Sequence, residues 1–142
     1  MAVMMNKRFS APQFVSHPIV RVDIAWICVA TDDPSPLHLD EPFAISLGHP
    51  SVVVPGTMVV GWLGQYLENW AGGQDKLRDW RVRFVSPVWP DEQLSFAGNV
   101  TSQEQVGGER RCNGEVIVTA PDGRVVARAW ASFATGDEGA RS

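Results

Sequence analysis

Residues 57–70 form the run TMVVGWLGQYLENW, whose apolar spacing sets the architecture of the whole chain. The apolar residues follow helical spacing on two adjacent stripes, which are Val59, Leu63, Tyr66 and Trp70 on one and Val60, Gly64 and Leu67 on the other. We expect Thr57 to be the N-cap and Ala71-Gly72-Gly73 to end the helix. A helix that is apolar around most of its girth is usually buried. The rest of the chain should therefore wrap it.

The C-terminal half has the alternating pattern of antiparallel strands. Alternation predicts four strands, over residues 78–85, 93–101, 111–119 and 124–133. Pro121-Asp122-Gly123 is a strong hairpin signal between the last two. One helix followed by a run of strands predicts an α+β domain in which an antiparallel, curved sheet surrounds one central apolar helix.

The N-terminal half is less regular. The aliphatic run Val22–Ala30 is predicted to be a buried strand, Asp40–Leu47 at most a short helix, and Ser51–Val54 an extended piece. Residues 1–20 lack a clear period, and we expect an N-terminal extension that lies over the fold or is partly disordered. The single domain is then residues 21–135, followed by a flexible tail at 136–142.

Residues 32–40, DDPSPLHLD, form the candidate catalytic loop. Pro34 and Pro36 fix their own φ angles and disfavour helix in the residues before them, so the loop should stay extended as far as Leu37. A stiff loop places two titratable side chains at low entropic cost, which suits Asp33 and His38 as an acid/base pair around one water. The alternative is a surface turn, because Asp, Ser and Pro are ordinary turn residues.

Composition excludes several classes of protein. The chain has 142 residues, 44% hydrophobic and 20% charged, with a net charge of −4, which suits one globular domain without a nucleic-acid site. No stretch has the length of a membrane span or the form of a signal peptide, so we expect a cytoplasmic protein without membrane contact. Cys28 and Cys112 should be reduced and inert, and the scattered histidines predict no metal site.

Three stretches together resemble the MaoC-like dehydratases. Residues 33–40 match that family's hydratase signature of Asp, any residue, Asn, Pro, aliphatic, His, any residue and acidic, except that Ser35 replaces Asn. Pro55-Gly56-Thr57-Met58 resembles the start of the family's central helix. Residues 83–94 are similar to its Pro-Val, Pro, Gly-Asp, Leu segment, with Asp91-Glu92 in place of Gly-Asp. The stretches follow the family's order.

The resemblance implies a hotdog fold and reversible hydration of a 2-enoyl thioester, an acyl-CoA, to an (R)-3-hydroxyacyl thioester. Asp33 and His38 would act on one water, and the sequence leaves open which of them is the formal base. The Gly56 amide at the helix start would serve as an oxyanion hole. The alternative for Gly56 is a glycine that the turn after Pro55 requires. The chemistry needs no cofactor beyond the coenzyme A carrier.

Further substrate contacts are expected at Ser35 and Thr57. Asp40 either orients His38 or is a first-turn helix residue favoured by the helix dipole. In several family members a serine stands where this chain has Gly64, so Gly64 indicates either close packing or room for a bulky acyl group.

The remaining polar candidates rank lower. His17 and His49 each precede a proline and show no partner, and Asp32 is expected to be solvated. Arg81 and Arg83 share a strand face and either meet coenzyme A phosphates or lie on an exposed surface.

Hotdog proteins generally dimerise, so we expect a homodimer or a heteromer with a second hotdog subunit. The heteromeric alternative would act on, or only bind, bulky steroid-like acyl chains. The other alternative is a hotdog acyl-CoA thioesterase, although only Glu68 offers a carboxylate on the central helix. Chain length, head group, carrier, direction and pathway stay open.

Overall fold

The computed structural model describes residues 10–136, so the first nine residues and nearly all of the predicted tail at 136–142 lie outside the described part. Its elements in chain order are β1 Gln13–Val15, α1 Arg21–Ala30, α2 Pro36–Leu39, α3 Glu41–Ser46, α4 Gly56–Ala71, a 3₁₀ turn Gln74–Lys76, β2 Leu77–Phe84, β3 Ser95–Val106, β4 Glu109–Thr119 and β5 Val125–Ala134. No helix within residues 10–136 is long and apolar enough to cross a membrane.

The five strands form one antiparallel sheet in the order β1-β3-β4-β5-β2. The sheet curves around α4, so the predicted α+β architecture is confirmed. The predicted hairpin at Pro121-Asp122-Gly123 is also confirmed, with Gly123 in the left-handed region at φ 85°. A second hairpin joins β3 to β4 through Gly107-Gly108, both with positive φ, and the sequence analysis did not identify it.

The buried face of α4 forms the centre of the core. Its fully or nearly fully buried side chains are Val59, Leu63, Tyr66, Leu67, Trp70 and Ala71. The Tyr66 hydroxyl donates a 2.6 Å hydrogen bond to the Pro12 carbonyl, which ties the chain before β1 to the helix. The opposite side of α4, at Thr57, Gly61 and Gln65, is exposed. The sheet of this one chain therefore covers the helix on one side only.

The bounds of α4 differ slightly from the expectation. Pro55, with φ −59° and ψ 136°, is the N-cap, and Gly56 is the first helical residue. The prediction of Thr57 as the N-cap is therefore wrong. Proline is well suited to a helix start because its fixed φ and its missing N–H carry no penalty there. The helix ends at Gly72 in the left-handed conformation, close to the predicted end.

The predicted strand Val22–Ala30 is wrong, because these residues form helix α1. Ile24 and Cys28, four residues apart, are the buried residues of α1, which is the spacing of a helix face. Short aliphatic runs do not distinguish a strand from a buried helix. The predicted short helix at Asp40–Leu47 is present as α3.

The chain before α1 is bound to the sheet. β1, inside the stretch predicted as an N-terminal extension, pairs with β3. Beyond β1, the Ser16 N–H donates to the Leu94 carbonyl at 2.8 Å, and the side chain of Ile19 is fully buried. The described part of this stretch thus adds an edge strand and a core residue to the domain.

Candidate active site

The C-terminal end of α1 fixes the backbone of Asp33. Asp32 has a left-handed φ of 52°. The Asp33 N–H donates to the Cys28 carbonyl at 2.9 Å, and the Asp32 N–H donates to the Val29 carbonyl at 3.3 Å. These two bonds form a Schellman motif, in which a left-handed residue closes the last helical turn. Asp32, expected only to be solvated, is therefore the residue that lets the chain turn into Asp33.

The one-turn helix α2 places His38. It begins at Pro36, one residue before the predicted limit, because proline is tolerated at the first helical position. The Leu37 carbonyl accepts a 3.0 Å hydrogen bond from the Val53 N–H, and the Val53 carbonyl lies 2.6 Å from His38 Nδ1. Both backbone groups of Val53 thus hold α2 against the segment that precedes α4.

Asp33 and His38 meet at the ends of these elements. His38 Nε2 lies 3.5 Å from Asp33 Oδ2, with side-chain exposures of 12% for the histidine and 49% for the aspartate. A carbonyl only accepts, so Nδ1 carries the proton of the neutral ring and Nε2 presents a lone pair. The imidazole nitrogen and the carboxylate oxygen are then two acceptors close enough for one water to donate a hydrogen bond to each.

A cavity of about 400 Å³ adjoins His38. Its wall consists of Leu37 and His38, His49, Val53 and Val54, Gly56 and Val59, and residues 84–88. The lining is mainly apolar, which strengthens electrostatic interactions inside the cavity. Such a cavity suits an organic substrate with a few polar groups to orient it.

Gly56 brings the start of α4 into this wall. The first N–H groups of a helix lack acceptors within the helix and carry the positive end of its dipole. The φ of Gly56 is not in the positive region, so the turn after Pro55 does not require glycine. A Cβ at this position would lie 3.0 Å from Phe84 Cζ and 3.2 Å from Phe84 Cε2. Close approach of the Phe84 ring is the structural reason for glycine here.

Three other predicted site residues have different surroundings. The Ser35 hydroxyl accepts a 3.3 Å hydrogen bond from the Leu37 N–H and caps α2, so its visible role is to start the turn that carries His38. Thr57 is exposed and is not part of the cavity wall. Asp40 caps α3 by accepting from the Phe43 N–H at 3.4 Å. The group that contacts His38 Nδ1 is the Val53 carbonyl, not the Asp40 carboxylate.

His49, ranked low from the sequence, lies in the cavity wall. It lies two residues after Leu47, the C-cap of α3, and Gly48 before it has a left-handed φ of 92°. A glycine just after a short predicted helix is a helix-end signal, and this signal could have located His49. His17 lines a different cleft, where its ring packs edge-on against Trp62 at 5.6 Å.

The surroundings of Gly64 do not require a glycine. A Cβ on Gly64 would have Trp80 Cζ2 as its nearest neighbour, at an ordinary contact distance of 3.9 Å, so close packing alone does not explain the missing side chain. Arg81 stacks on Trp130, with its Cζ 5.0 Å from the ring centroid, on the outer face of the sheet.

The two cysteines are buried and unpaired. Burial, and secondarily the negative charge of Asp33, raises the pKa of the Cys28 thiol, and burial raises the pKa of Cys112. A thiol that stays protonated is a poor nucleophile. Within residues 10–136 no three His, Cys, Asp or Glu side chains are grouped as a metal site would need.

A curved antiparallel sheet around one central helix defines the hotdog class, and solved structures agree. The chain is similar to one chain in the structure of the ChsH1-ChsH2 complex from Mycobacterium tuberculosis (TM-score 0.73, 20% identity, covering 88% of this chain and 94% of that chain). It is similar to R-hydratase PhaJ1 from Pseudomonas aeruginosa (TM-score 0.74, 19% identity, covering 89% of this chain and 80% of that chain). It is also similar to the (R)-hydratase of A. caviae involved in PHA biosynthesis (TM-score 0.76, 15% identity, covering 92% of this chain and 98% of that chain). At these identities the likenesses show the fold.

The family is shown by sequence. The family model of the MaoC like domain matches residues 8–121, so the chain belongs to the MaoC-like dehydratase family. This match confirms the resemblance found in the three stretches. A comparison with curated proteins gave no significant match.

Proposed function

We propose that this protein catalyses the reversible hydration of a 2-enoyl thioester to an (R)-3-hydroxyacyl thioester. The observation that carries the proposal is the 3.5 Å approach of His38 Nε2 to Asp33 Oδ2, with His38 and Gly56 in the wall of one cavity. Membership of the MaoC-like family supports it.

The two acceptors hold the water and handle its protons. One of them takes a proton from the water as the water oxygen bonds to Cβ. The π electrons of the Cα=Cβ bond move towards the thioester carbonyl and form an enolate. A proton held by the pair is then delivered to Cα, which restores the carbonyl and completes the addition of one water. One such acid/base group typically contributes about 10²–10⁴-fold to the rate.

The start of α4 stabilises the enolate. Negative charge develops on the thioester oxygen while Cα awaits its proton, and the Gly56 N–H is the donor we assign to it. The absence of a Cβ lets the oxygen approach this amide. The reaction as proposed uses only protein groups, water and the thioester, so we propose no further cofactor.

The test is turnover of a 2-enoyl-CoA by purified protein and by the variants Asp33→Asn and His38→Ala. The proposal predicts loss of the enoyl-thioester absorbance, with kcat reduced by about 10²–10⁴-fold in each variant. The half-exposed Asp33 side chain should tolerate the isosteric amide, so an unchanged unfolding midpoint in Asp33→Asn separates chemistry from misfolding. Release of free thiol at the same rate would instead show a thioesterase.

We also propose that a second hotdog chain completes the assembly. Within the described residues β2 pairs only with β5, which leaves the outer backbone edge of an eight-residue strand unpaired. Phe84 and Val85, at the end of this strand and in the cavity wall, are 47% and 54% exposed. An exposed apolar strand edge is normally covered. A homodimer is the simplest occupant, and the similarity to the ChsH1-ChsH2 complex makes a heteromer the alternative.

Light scattering of the purified protein tests the assembly. A dimer with full hydratase activity supports the homodimer. A monomer without activity would reject it and favour a missing, different subunit.

A further inference from the structure

The His49 side chain is a polar group in the cavity wall that the proposed chemistry does not use. It is half-buried, and its ring makes no hydrogen bond or ion pair with any other residue in the described part of the chain. A side chain placed in this way is available to a ligand.

The backbone of His49 is held as firmly as that of Asp33. The His49 N–H donates to the Ala44 carbonyl at 3.1 Å, and the Gly48 N–H donates to the Ile45 carbonyl at 2.9 Å. With Gly48 left-handed, these bonds form a Schellman motif at the end of α3, the same arrangement that ends α1. Pro50 restricts the backbone on the other side. His49 therefore occupies a defined place in the wall.

The other polar side chains of the cavity wall are already engaged. His38 has the Val53 carbonyl at Nδ1 and Asp33 near Nε2. The Ser86 hydroxyl donates to the Val125 carbonyl at 2.7 Å. The remaining wall residues within the described chain carry apolar side chains or none. A ligand with a polar group away from its reacting atoms would find its side-chain partner at His49.

We propose that His49 hydrogen-bonds an amide of the pantetheine arm that carries the acyl group. This inference rests on the proposed function. An aliphatic acyl chain against His49 would displace its water and leave the imidazole unpaired, which costs binding free energy. The carrier arm contains secondary amides, which can pair with a neutral imidazole in either direction. A volume of about 400 Å³ lies within the range of small-molecule pockets, which suits the reacting end of a thioester and the start of its carrier arm.

The experiment compares His49→Phe, which keeps a ring without polar atoms, with His49→Gln, which keeps a donor and an acceptor. The control is His17→Phe, a histidine in another cleft. Each protein is assayed with crotonyl-CoA, with crotonyl-acyl carrier protein and with crotonyl S-propyl thioester, which has no amide. The affinity for S-hexyl-CoA, an unreactive thioether, is measured by calorimetry.

We expect His49→Phe to weaken S-hexyl-CoA binding and to raise the KM of carrier-bound substrates by about 10-fold, with kcat little changed. His49→Gln should recover most of the loss, and His17→Phe should match the wild type. The S-propyl thioester should show no His49 effect. Whichever carrier the wild type turns over identifies the source of the arm.

Two results would overturn the inference. One is an active hydratase in which His49→Phe binds S-hexyl-CoA normally, which would leave the proposed function intact. The other is an equal loss with the S-propyl thioester, which would place His49 on the acyl side. Binding of S-hexyl-CoA that depends on His49, without hydration of any thioester, would support the inference while rejecting the proposed function.

Discussion

Replacing Gly56 by alanine should separate activity from stability. The new Cβ would lie 3.0–3.4 Å from three atoms of the Phe84 ring, so the ring must move by a few tenths of an ångström. Phe84 is 47% exposed and can do so. Overpacking of this kind costs roughly 1 kcal/mol, and alanine offsets it because it favours helix over glycine by up to about 1 kcal/mol. The net change in unfolding free energy should be within about 1 kcal/mol, a shift in Tm of less than about 4 °C.

Activity should respond much more strongly than stability. The added methyl group lies in the cavity wall beside the amide that we assign to the thioester oxygen. Alanine keeps the backbone N–H, so the methyl group acts by blocking the approach of the thioester oxygen to it. Loss of one oxyanion donor typically lowers kcat by about 10²–10³-fold, or roughly 3–4 kcal/mol, which is the upper limit for such a block. Gly56→Ala should therefore keep the fold intact and remove most of the hydratase activity.

The assay pairs thermal unfolding with initial rates on one 2-enoyl-CoA, and Gly61→Ala is the matched control. A Cβ on Gly61, in the same helix, would have no neighbour within 4 Å. This control should be about 0.5–1 kcal/mol more stable than the wild type, with unchanged kcat. Full activity in Gly56→Ala would show that no substrate oxygen approaches this amide. Unfolding of Gly56→Ala would show that the Phe84 ring cannot give way.

Three further predictions concern the core and the surface. In Gly114→Ala the new Cβ would lie 2.8 Å from Trp70 Cζ3, so we expect the free energy of unfolding, measured in urea, to fall by about 1–3 kcal/mol. An unchanged free energy of unfolding would mean that Trp70 does not fill this space. The Cys28 and Cys112 thiols should be inert to a thiol reagent at pH 7 and should both react in guanidinium, because burial keeps them protonated; rapid native-state reaction would contradict this. Hydrogen bonds from two arginines lower the pKa of Glu109 from 4.5 to about 2, so its stabilisation is complete above pH 4.5 and is lost as the pH falls through 2. The Tm difference between the wild type and Glu109→Gln should shrink over that range, and a constant difference would refute the ion pairing.

The helix α4 and the alternating strands could be predicted because their apolar residues recur with one clear period. The secondary structure of residues 22–30 could not be predicted, because this run has apolar residues on every face, whether it is read as a helix or as a strand. In the structure only Ile24 and Cys28 are buried. Its outward-facing residues are also apolar and large, namely Val22, Trp26 and Val29. These exposed apolar residues give the helix the composition of a buried strand.

The sequence analysis proposed Asp33 and His38 from the chemistry of their side chains, and the structure brings the two together. The sequence analysis also proposed the backbone amide of Gly56, but it missed the backbone carbonyl that contacts His38. The carbonyl that orients His38 belongs to Val53, and any residue type would supply one. The left-handed conformation of Asp32 was not predicted either, because aspartate adopts it only occasionally. His49 was undervalued for the related reason that its place in the wall depends on how α3 ends.

The central claim is most directly tested by the product that the wild-type protein makes from a 2-enoyl-CoA. The protein is incubated with the thioester, and enoyl absorbance, free thiol and the chirality of the 3-hydroxyacyl product are followed together. The proposed function predicts loss of the enoyl band, no thiol and the (R) enantiomer, with kcat lowered by about 10²–10⁴-fold in Asp33→Asn. Hydration that persists in Asp33→Asn and His38→Ala, or thiol released in step with the lost absorbance, would contradict it.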